Sequence, residues 1–367
     1  MTQTRLATVA VLMLAFAAHA APAQPTYRVT ELHGFLPQKI NNRGQILGTS
    51  PEGSVLYDNG QLTALGAGVI GVDLNDSGHV TGRAGGKAII WREGAVQVID
   101  SSPGFGAGIN NSGWVAGLYE RTVGSEAVWR PFLYDGSSFQ DLLDLYVPGG
   151  APTLSGWVSG INAAGHVAGE VTGESTRAVL FADGVMVDVG PDWANWTYAY
   201  TLNDHGQVAG ITDAMDTWLY DNGVVSMVPR ATGHGHMIEP VALDDSGRLL
   251  SNILTFVYTY YSPQVSVNSE AYSISAHLGS SGRDAFMIMA YDMNDRGEIL
   301  AQGVARSNVR HGDKVSADDL FDDGLNWAHY YVLSPIPEPQ TYALMGAGLL
   351  LLAARAARRA GGSSAGR

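Results

Sequence analysis

Two histidines in GHGHM (233–237), the nearby Glu239, and five aspartates in DKVSADDLFDDG (313–324) are the side chains here whose types and spacing come nearest to holding a metal ion. His234 and His236 fall on one side of an extended segment, as a metal pair wants. Two histidines and one carboxylate nevertheless lack the helical spacing of zinc motifs. Asp318, Asp319, Asp322 and Asp323 supply the hard oxygens that calcium takes, but not in the order of an EF-hand loop. The expectation is no cofactor, with calcium at the acidic segment the one exception its chemistry leaves open. A polar loop and a solvated acidic insertion are the ordinary readings of these two stretches. His79 and His166 follow a turn glycine whereas His205 precedes one, so these three do not occupy equivalent places.

Aromatic side chains offer a second kind of chemistry. In PDWANWTYAY (191–200), Trp196, Tyr198 and Tyr200 alternate and share one face of a strand, as do Phe256, Tyr258 and Tyr260 in FVYTYYS. Flat aromatic faces stack on sugar rings, and they also pack between sheets, which is the expected role for most of this set. Trp193 and Trp196 are the candidates for ligand contact. Cysteine is absent, which removes thiolate metal sites, disulfides and cysteine nucleophiles. The chain has no GxSxG elbow, P-loop or HExxH helix, so no catalytic residue is assigned, and a triad would have to assemble in space.

The elements that must position these groups are set by a repeat. INNRGQILG at 40 returns as LNDSGHVTG at 74, INNSGWVAG at 109, INAAGHVAG at 161, LNDHGQVAG at 202, LDDSGRLLS at 243 and MNDRGEILA at 293. The intervals are 34, 35, 52, 41, 41 and 50 residues, a period that points to stacked supersecondary units. Asn or Asp followed three residues later by Gly makes a tight hairpin turn, because the side-chain oxygen bonds nearby backbone and glycine accepts positive φ. The apolar first and seventh places fall on the buried face of the paired strands. The ninth place is always small, so another backbone or a bulky neighbour must press against it. A second hairpin lies between several nonamers: VLYDNGQLTAL at 55, IIWREGAVQVI at 89, FLYDGSSFQDL at 132, VLFADGVMVDV at 179 and WLYDNGVVSMV at 218.

Two hairpins per period give four short strands, the arithmetic of a β-propeller blade. The chain therefore reads as all-β, with a seven-bladed propeller over residues 24–334. An open β-solenoid, or six or eight blades, are the alternatives. YRVTEL (27–32) has no strand before it and HYYVLS (329–334) none after it; pairing them would complete one blade from both chain ends and remove two open edges. The order of aromatic strand, glycine turn, apolar strand and nonamer resembles the bacterial HAF-type extracellular repeat, most weakly at 252–290 and 301–328. That resemblance implies an exported β-repeat protein and carries no activity or functional residues with it.

The termini read as addresses. Arg5 precedes an apolar run from Leu6 to Ala18 and small-residue pairs ending at Ala20 and Ala23, the layout of a signal peptide over 1–23, with a retained membrane helix as the alternative. Near the other end stand Pro337, Glu338 and Pro339, an apolar run from Tyr342 to Ala354, then Arg355, Arg358 and Arg359. Thirteen helical residues reach about 20 Å, short of the ~30 Å hydrocarbon core, which suits a temporary membrane stop better than a permanent anchor. Residues 335–367 resemble the PEP-CTERM sorting signal, departing from it in the tail AGGSSAGR (360–367). The resemblance implies a Gram-negative host, a transient inner-membrane intermediate, processing by the membrane protease exosortase, and final residence at the cell surface or outside.

A net charge of −14, with arginines clustered only near the C-terminus, argues against a nucleic-acid partner. The function expected is an exported propeller acting as a binding or structural module, with extracellular polysaccharide or a surface protein as the partner. The alternative is a propeller-type glycoside hydrolase or lyase, which needs carboxylates about 5 to 10 Å apart in the central channel. A channel lined only by apolar and small residues would count against it.

Overall fold

Local turn chemistry, repeated seven times, builds the molecule. The computed structural model describes residues 24–147, 154–228, 236–255, 260–267, 270–282, 285–305 and 329–336. Residues 28–334 form one compact unit; the other unit, 1–27 with 335–367, lies almost entirely outside the described residues. The signal-peptide segment, Pro337 and the rest of the sorting motif, the acidic segment with Asp318 to Asp323, His234, Phe256 and Tyr258 are likewise outside them.

The described strands form seven four-stranded sheets, the blades of a propeller. Blades one to six span 36–64, 69–98, 104–141, 155–188, 197–227 and 236–273 in simple sequential order. The seventh is built from Ala285–Met293, Ile299–Ala305, His329–Ile336 and, outermost, the N-terminal strand Thr26–Leu32. The two chain ends therefore seal the ring as the sequence predicts. Closure leaves no long open edge between blade seven and blade one. The blurred second hairpins have plain causes: the sequence between the two outer strands of blade six holds no glycine, and blade seven draws its fourth strand from the N-terminus.

Each nonamer joins the innermost strand of its blade to the second. The seventh place (Ile46, Val80, Val115, Val167, Val208, Leu249, Ile299) is nowhere more than 2% exposed. The eighth (Leu47, Thr81, Ala116, Ala168, Ala209, Leu250, Leu300) is at 0% throughout. Burial on both faces follows from each blade being sandwiched between two others, so the one-sided alternation expected of a surface sheet is lost here. Each such Val, Leu or Ile contributes roughly 1.5–3 kcal/mol.

The small ninth place also has a visible cause. Inner strands slip register after Pro37, Gly71, Gly106, Val158, Ala199 and Pro240, bulging one residue each, and the ninth place of the nonamer sits opposite that slip. A Cβ on Gly48, Gly82, Gly117, Gly169 or Gly210 would lie 1.9–2.4 Å from the carbonyl oxygen of the preceding inner-strand residue. No side chain fits there.

The asparagines do more than turn the chain. Asn41 Oδ1 accepts from Arg43 N at 3.0 Å and Gln45 N at 2.9 Å, while its Nδ2 donates to the Asn75 carbonyl of the next blade. The same interblade bond runs Asn75 to Asn110, Asn110 to Asn162, Asn162 to Asn203, Asn203 to Asp244, and Asn294 back to Asn41, at 2.9–3.3 Å. Aspartate has no N–H to donate, so the circuit lacks one link, at Asp244; there Arg248 Nε donates to its Oδ2 at 2.5 Å. A second circuit joins third places: Asn42, Asp76, Ala163, Asp204, Asp245 and Asp295 donate backbone N–H to the next blade's side chain at 2.7–3.0 Å. It is open where Ala163 offers Asn111 no acceptor. The NDSG-type turns are thus explained as interblade clasps.

Candidate functional site: the central channel and its aromatic mouth

All seven nonamer turns lie at one end of the channel, so inner strands run towards it from the opposite end. Read along these strands, the register sorts the channel into levels. The residue before each nonamer is Lys39, Asp73, Gly108, Gly160, Thr201, Ala242 and Asp292 in blades one to seven. Ring closure makes blades seven, one and two neighbours, so Lys39 stands between two aspartates while the rest of this level is small or neutral. Lys39 Nζ donates to Asp292 Oδ1 at 3.4 Å, and its side chain is 37% exposed to the channel. Each aspartate also holds the following blade: Asp292 Oδ2 accepts from Ile40 N at 2.8 Å and Asp73 Oδ2 from Ile109 N at 2.9 Å. Asp292, helped by Asp73, holds the Lys39 ammonium above its ordinary value. Burial pushes Asp73 up to about 6 against the pull of Lys39, and pushes Asp292 up as well.

Three residues further from the turns, towards the opposite end, the equivalent positions are Leu36, Ile70, Phe105, Trp157, Tyr198, Glu239 and Met289. Six are apolar or aromatic and one is acidic. Phe105, Trp157 and Tyr198 line a cavity of about 610 Å³ together with the bulged Tyr200, Lys39, Asp73 and Asp292. Glu170, which faces Trp157 across the strand pair, lines it too. The Glu170 carboxyl accepts from Ala199 N, and burial pushes it up to about 7. Glu239 is pushed up by burial, and Tyr200 is raised by burial and by the charges of Glu239 and Glu170. The channel therefore carries carboxylates, and the condition that would have counted against an enzyme is not met.

Tryptophans gather at the same end. Phe105 packs against Trp157 with ring centroids 5.7 Å apart and against Trp129 at 6.3 Å. Trp157 is 50% exposed, and Trp193 and Trp196, on the connection from blade four to blade five, are 62% and 51% exposed. That connection is pinned: Arg177 donates to the Ala194 carbonyl at 2.9 Å and pairs with Asp188 at 2.7 Å, and Asp213 N donates to the Trp196 carbonyl at 3.0 Å. Tyr198 and Tyr200, both half-buried, line the cavity. His79 and His166 are half-buried at turns, His205 is exposed, and among the described residues no cluster of His, Asp or Glu is arranged to hold a metal.

Sequence reasoning passed over Lys39, Asp73, Asp292, Glu170 and Trp157. Their signal lies in columns flanking the nonamer. Extending it one place back exposes the Lys and two Asp, and one place forward gives Thr49, Arg83, Leu118, Glu170, Ile211, Asn252 and Gln302, with Glu170 the lone acid.

Residues 335–359 match the PEP-CTERM protein-sorting motif. The motif implies export through the inner membrane of a Gram-negative bacterium, processing by an exosortase, and a place at the cell surface or outside it. Among the described residues no helix is long and apolar enough to cross a membrane. No curated protein is recognisably similar in sequence. Among solved structures, a chain of a mitotic checkpoint complex is 9% identical, covering 87% of this chain and 95% of its own, with a TM-score of 0.50. A catalytically inactive virginiamycin B lyase from Staphylococcus aureus, solved with quinupristin, is 9% identical (84% and 100% covered, TM-score 0.48). The β-propeller domain of the Trilobed protease from Pyrococcus furiosus is 8% identical (77% and 93% covered, TM-score 0.47). At such identities the likeness concerns the fold alone.

Proposed function

We propose that this exported propeller is a binding module that holds extracellular polysaccharide at the channel mouth opposite the nonamer turns. One observation carries the reading: Trp157, Trp193 and Trp196 are half or more exposed at that end, the latter two on a connection pinned by Arg177 and Asp213. Exposed indoles on a fixed backbone lose little freedom when a flat sugar face covers them, so apolar contact is converted into affinity rather than into ordering. The PEP-CTERM motif supports the setting, since it delivers the chain to where such polymers lie, and the resemblance to HAF-type repeats supports an extracellular role.

A second reading, a glycoside hydrolase or lyase, is favoured by Glu170, whose raised carboxyl is of the kind a general acid needs near neutral pH. One experiment separates the two. The protein from its host is incubated with the host's own extracellular polysaccharide, with and without calcium, following co-sedimentation and the appearance of reducing or unsaturated ends. Binding without new ends supports the module, and new ends establish the enzyme. Absence of both leaves a structural surface component and refutes the proposal. A requirement for calcium would redirect attention to the acidic segment 313–324.

A further inference from the structure

The ring of equivalent mouth positions holds one charge, Glu239, among aromatic and aliphatic neighbours, and Glu170 projects into the same cavity beside Trp157. Glu170 stands on blade four and Glu239 on blade six, flanking Tyr200 of blade five, whose hydroxyl is raised by burial and by both charges. Neither is compensated: among the described residues no cation pairs with Glu170 or Glu239. The one lysine of the cavity, Lys39, is already committed to Asp292 and flanked by Asp73. The cavity is therefore acidic, with its free carboxylates set among indole and phenol rings.

Carboxylates that lack a cation and aromatic faces that attract one are complementary to the same group, an ammonium carried on an otherwise stackable body. A neutral sugar satisfies the rings and leaves the carboxylates desolvated. A sulfated or uronic polymer would be repelled. Resting on the carbohydrate-binding reading above, we propose that the mouth recognises a polymer of amino sugars with free, unacetylated amines, an ammonium facing Glu170 while a sugar face lies on Trp157. Glu239 strengthens the field at Tyr200 from the neighbouring blade. The cavity, at about 610 Å³, is of ordinary small-ligand size, so it takes a short stretch of the chain and not a folded partner.

The test uses three hexasaccharides of one linkage geometry, built from glucosamine, N-acetylglucosamine and glucose, titrated calorimetrically against the protein purified from its host at about 0.15 M salt to screen the net charge. The glucosamine hexamer is expected to bind at least about tenfold more tightly than the other two, the worth of one charge-assisted hydrogen bond. Glu170→Gln, which keeps the shape and the acceptor for Ala199 N, should remove that preference, so that the glucosamine hexamer binds no more tightly than the N-acetylglucosamine and glucose hexamers. Glu239→Gln should reduce it less. Glu52→Gln, an exposed charge away from the channel, should leave it intact; an equal loss there would reveal mere attraction of a polycation to an acidic protein and overturn the proposal. Equal binding of all three sugars also overturns it while the carbohydrate reading survives. Failure of all three, together with failure of the native polymer to co-sediment, overturns both.

Discussion

Asn110 and Asn111 are neighbours in one turn, yet replacing each by alanine should have very different effects. Asn110 is 5% exposed. Its Oδ1 accepts from Ser112 N at 3.1 Å and Trp114 N at 2.9 Å, and its Nδ2 donates to the buried Asn162 carbonyl of the next blade at 3.0 Å. Alanine deletes all three bonds. Water reaches Ser112, which is exposed, but replaces the bonds to Trp114 N and the Asn162 carbonyl poorly. Trp114 N is left unpaired, at about 1–3 kcal/mol, while the Asn162 carbonyl keeps its bond from Gly165 N and loses one of two partners, so Asn110→Ala should lose roughly 2–3 kcal/mol, a sizeable part of the 5–15 kcal/mol typical of a whole fold. Asn111 is exposed, and its two bonds to Asp76, at 2.8 Å each, compete with water. Asn111→Ala should cost less than about 1 kcal/mol. Equilibrium urea unfolding followed by tryptophan fluorescence reads both midpoints. Equal midpoints, or a larger loss at Asn111, would show that the inner circuit contributes nothing beyond the turn itself and refute the clasp.

Glu170 makes stability depend on pH. Its folded value of about 7 lies above its ordinary 4.5, so the folded state holds the proton more tightly than the unfolded chain does, and native stability falls as pH rises between those values. Glu170→Gln should match the parent below about pH 4.5 and exceed it above pH 7, by about 1–2 kcal/mol once channel water has weakened the burial penalty; a difference in unfolding free energy that does not change with pH would refute this. Removing residues 24–35 takes the outer strand from blade seven and should lower the thermal midpoint of the entire propeller, and an unchanged midpoint would contradict closure through that strand. Gly169→Ala places a Cβ 2.0 Å from the Trp157 carbonyl oxygen, whereas Gly184→Ala meets no atom within 4 Å and has only its φ of +78° to strain. Gly169→Ala should cost several-fold more in urea, above about 2 kcal/mol, and the reverse order would show that the bulge yields.

What could be read in the residues follows from how local each cause is. The turn is legible because Asn, Gly and two apolar places act within nine residues, and seven copies give seven blades. Closure is legible because Tyr27 to Leu32 and His329 to Ser334 are strands left without partners. The clasp is not, since the acceptor for Asn110 is 52 residues away at Asn162 and becomes its neighbour only after the blades are set around an axis. The same reason hides the Lys39 group: Asp292 is 253 residues from Lys39 along the chain and adjacent to it only across the seam of the ring. Exposure of Trp193 and Trp196 was within reach of the sequence, but the fixing of their loop by Arg177 was not.

The two ends of the channel are under opposite constraints, and this supports the proposed site more than any one residue does. At the turn end, every blade must present a small set of atoms in one geometry to two neighbours, so Asn, Asp and Gly recur, and variation is rare: Asp244 is compensated by Arg248, and Ala163 opens one link of the outer circuit. A site built there would have to break clasps to change. At the opposite end, beyond the bulge, no hydrogen bond joins the side chains of Leu36, Ile70, Phe105, Trp157, Tyr198, Glu239 and Met289 across blades, and each blade is free to differ. Chemical identity departs from the repeat at just that level, in the run Phe105, Trp157, Tyr198 and Glu239 over four consecutive blades, with Glu170 and Tyr200 beside them. A ring held by one end is thus left with a mouth whose side chains are free to vary, and blades three to six, where they vary towards aromatic and acidic residues, are where the proposed site falls.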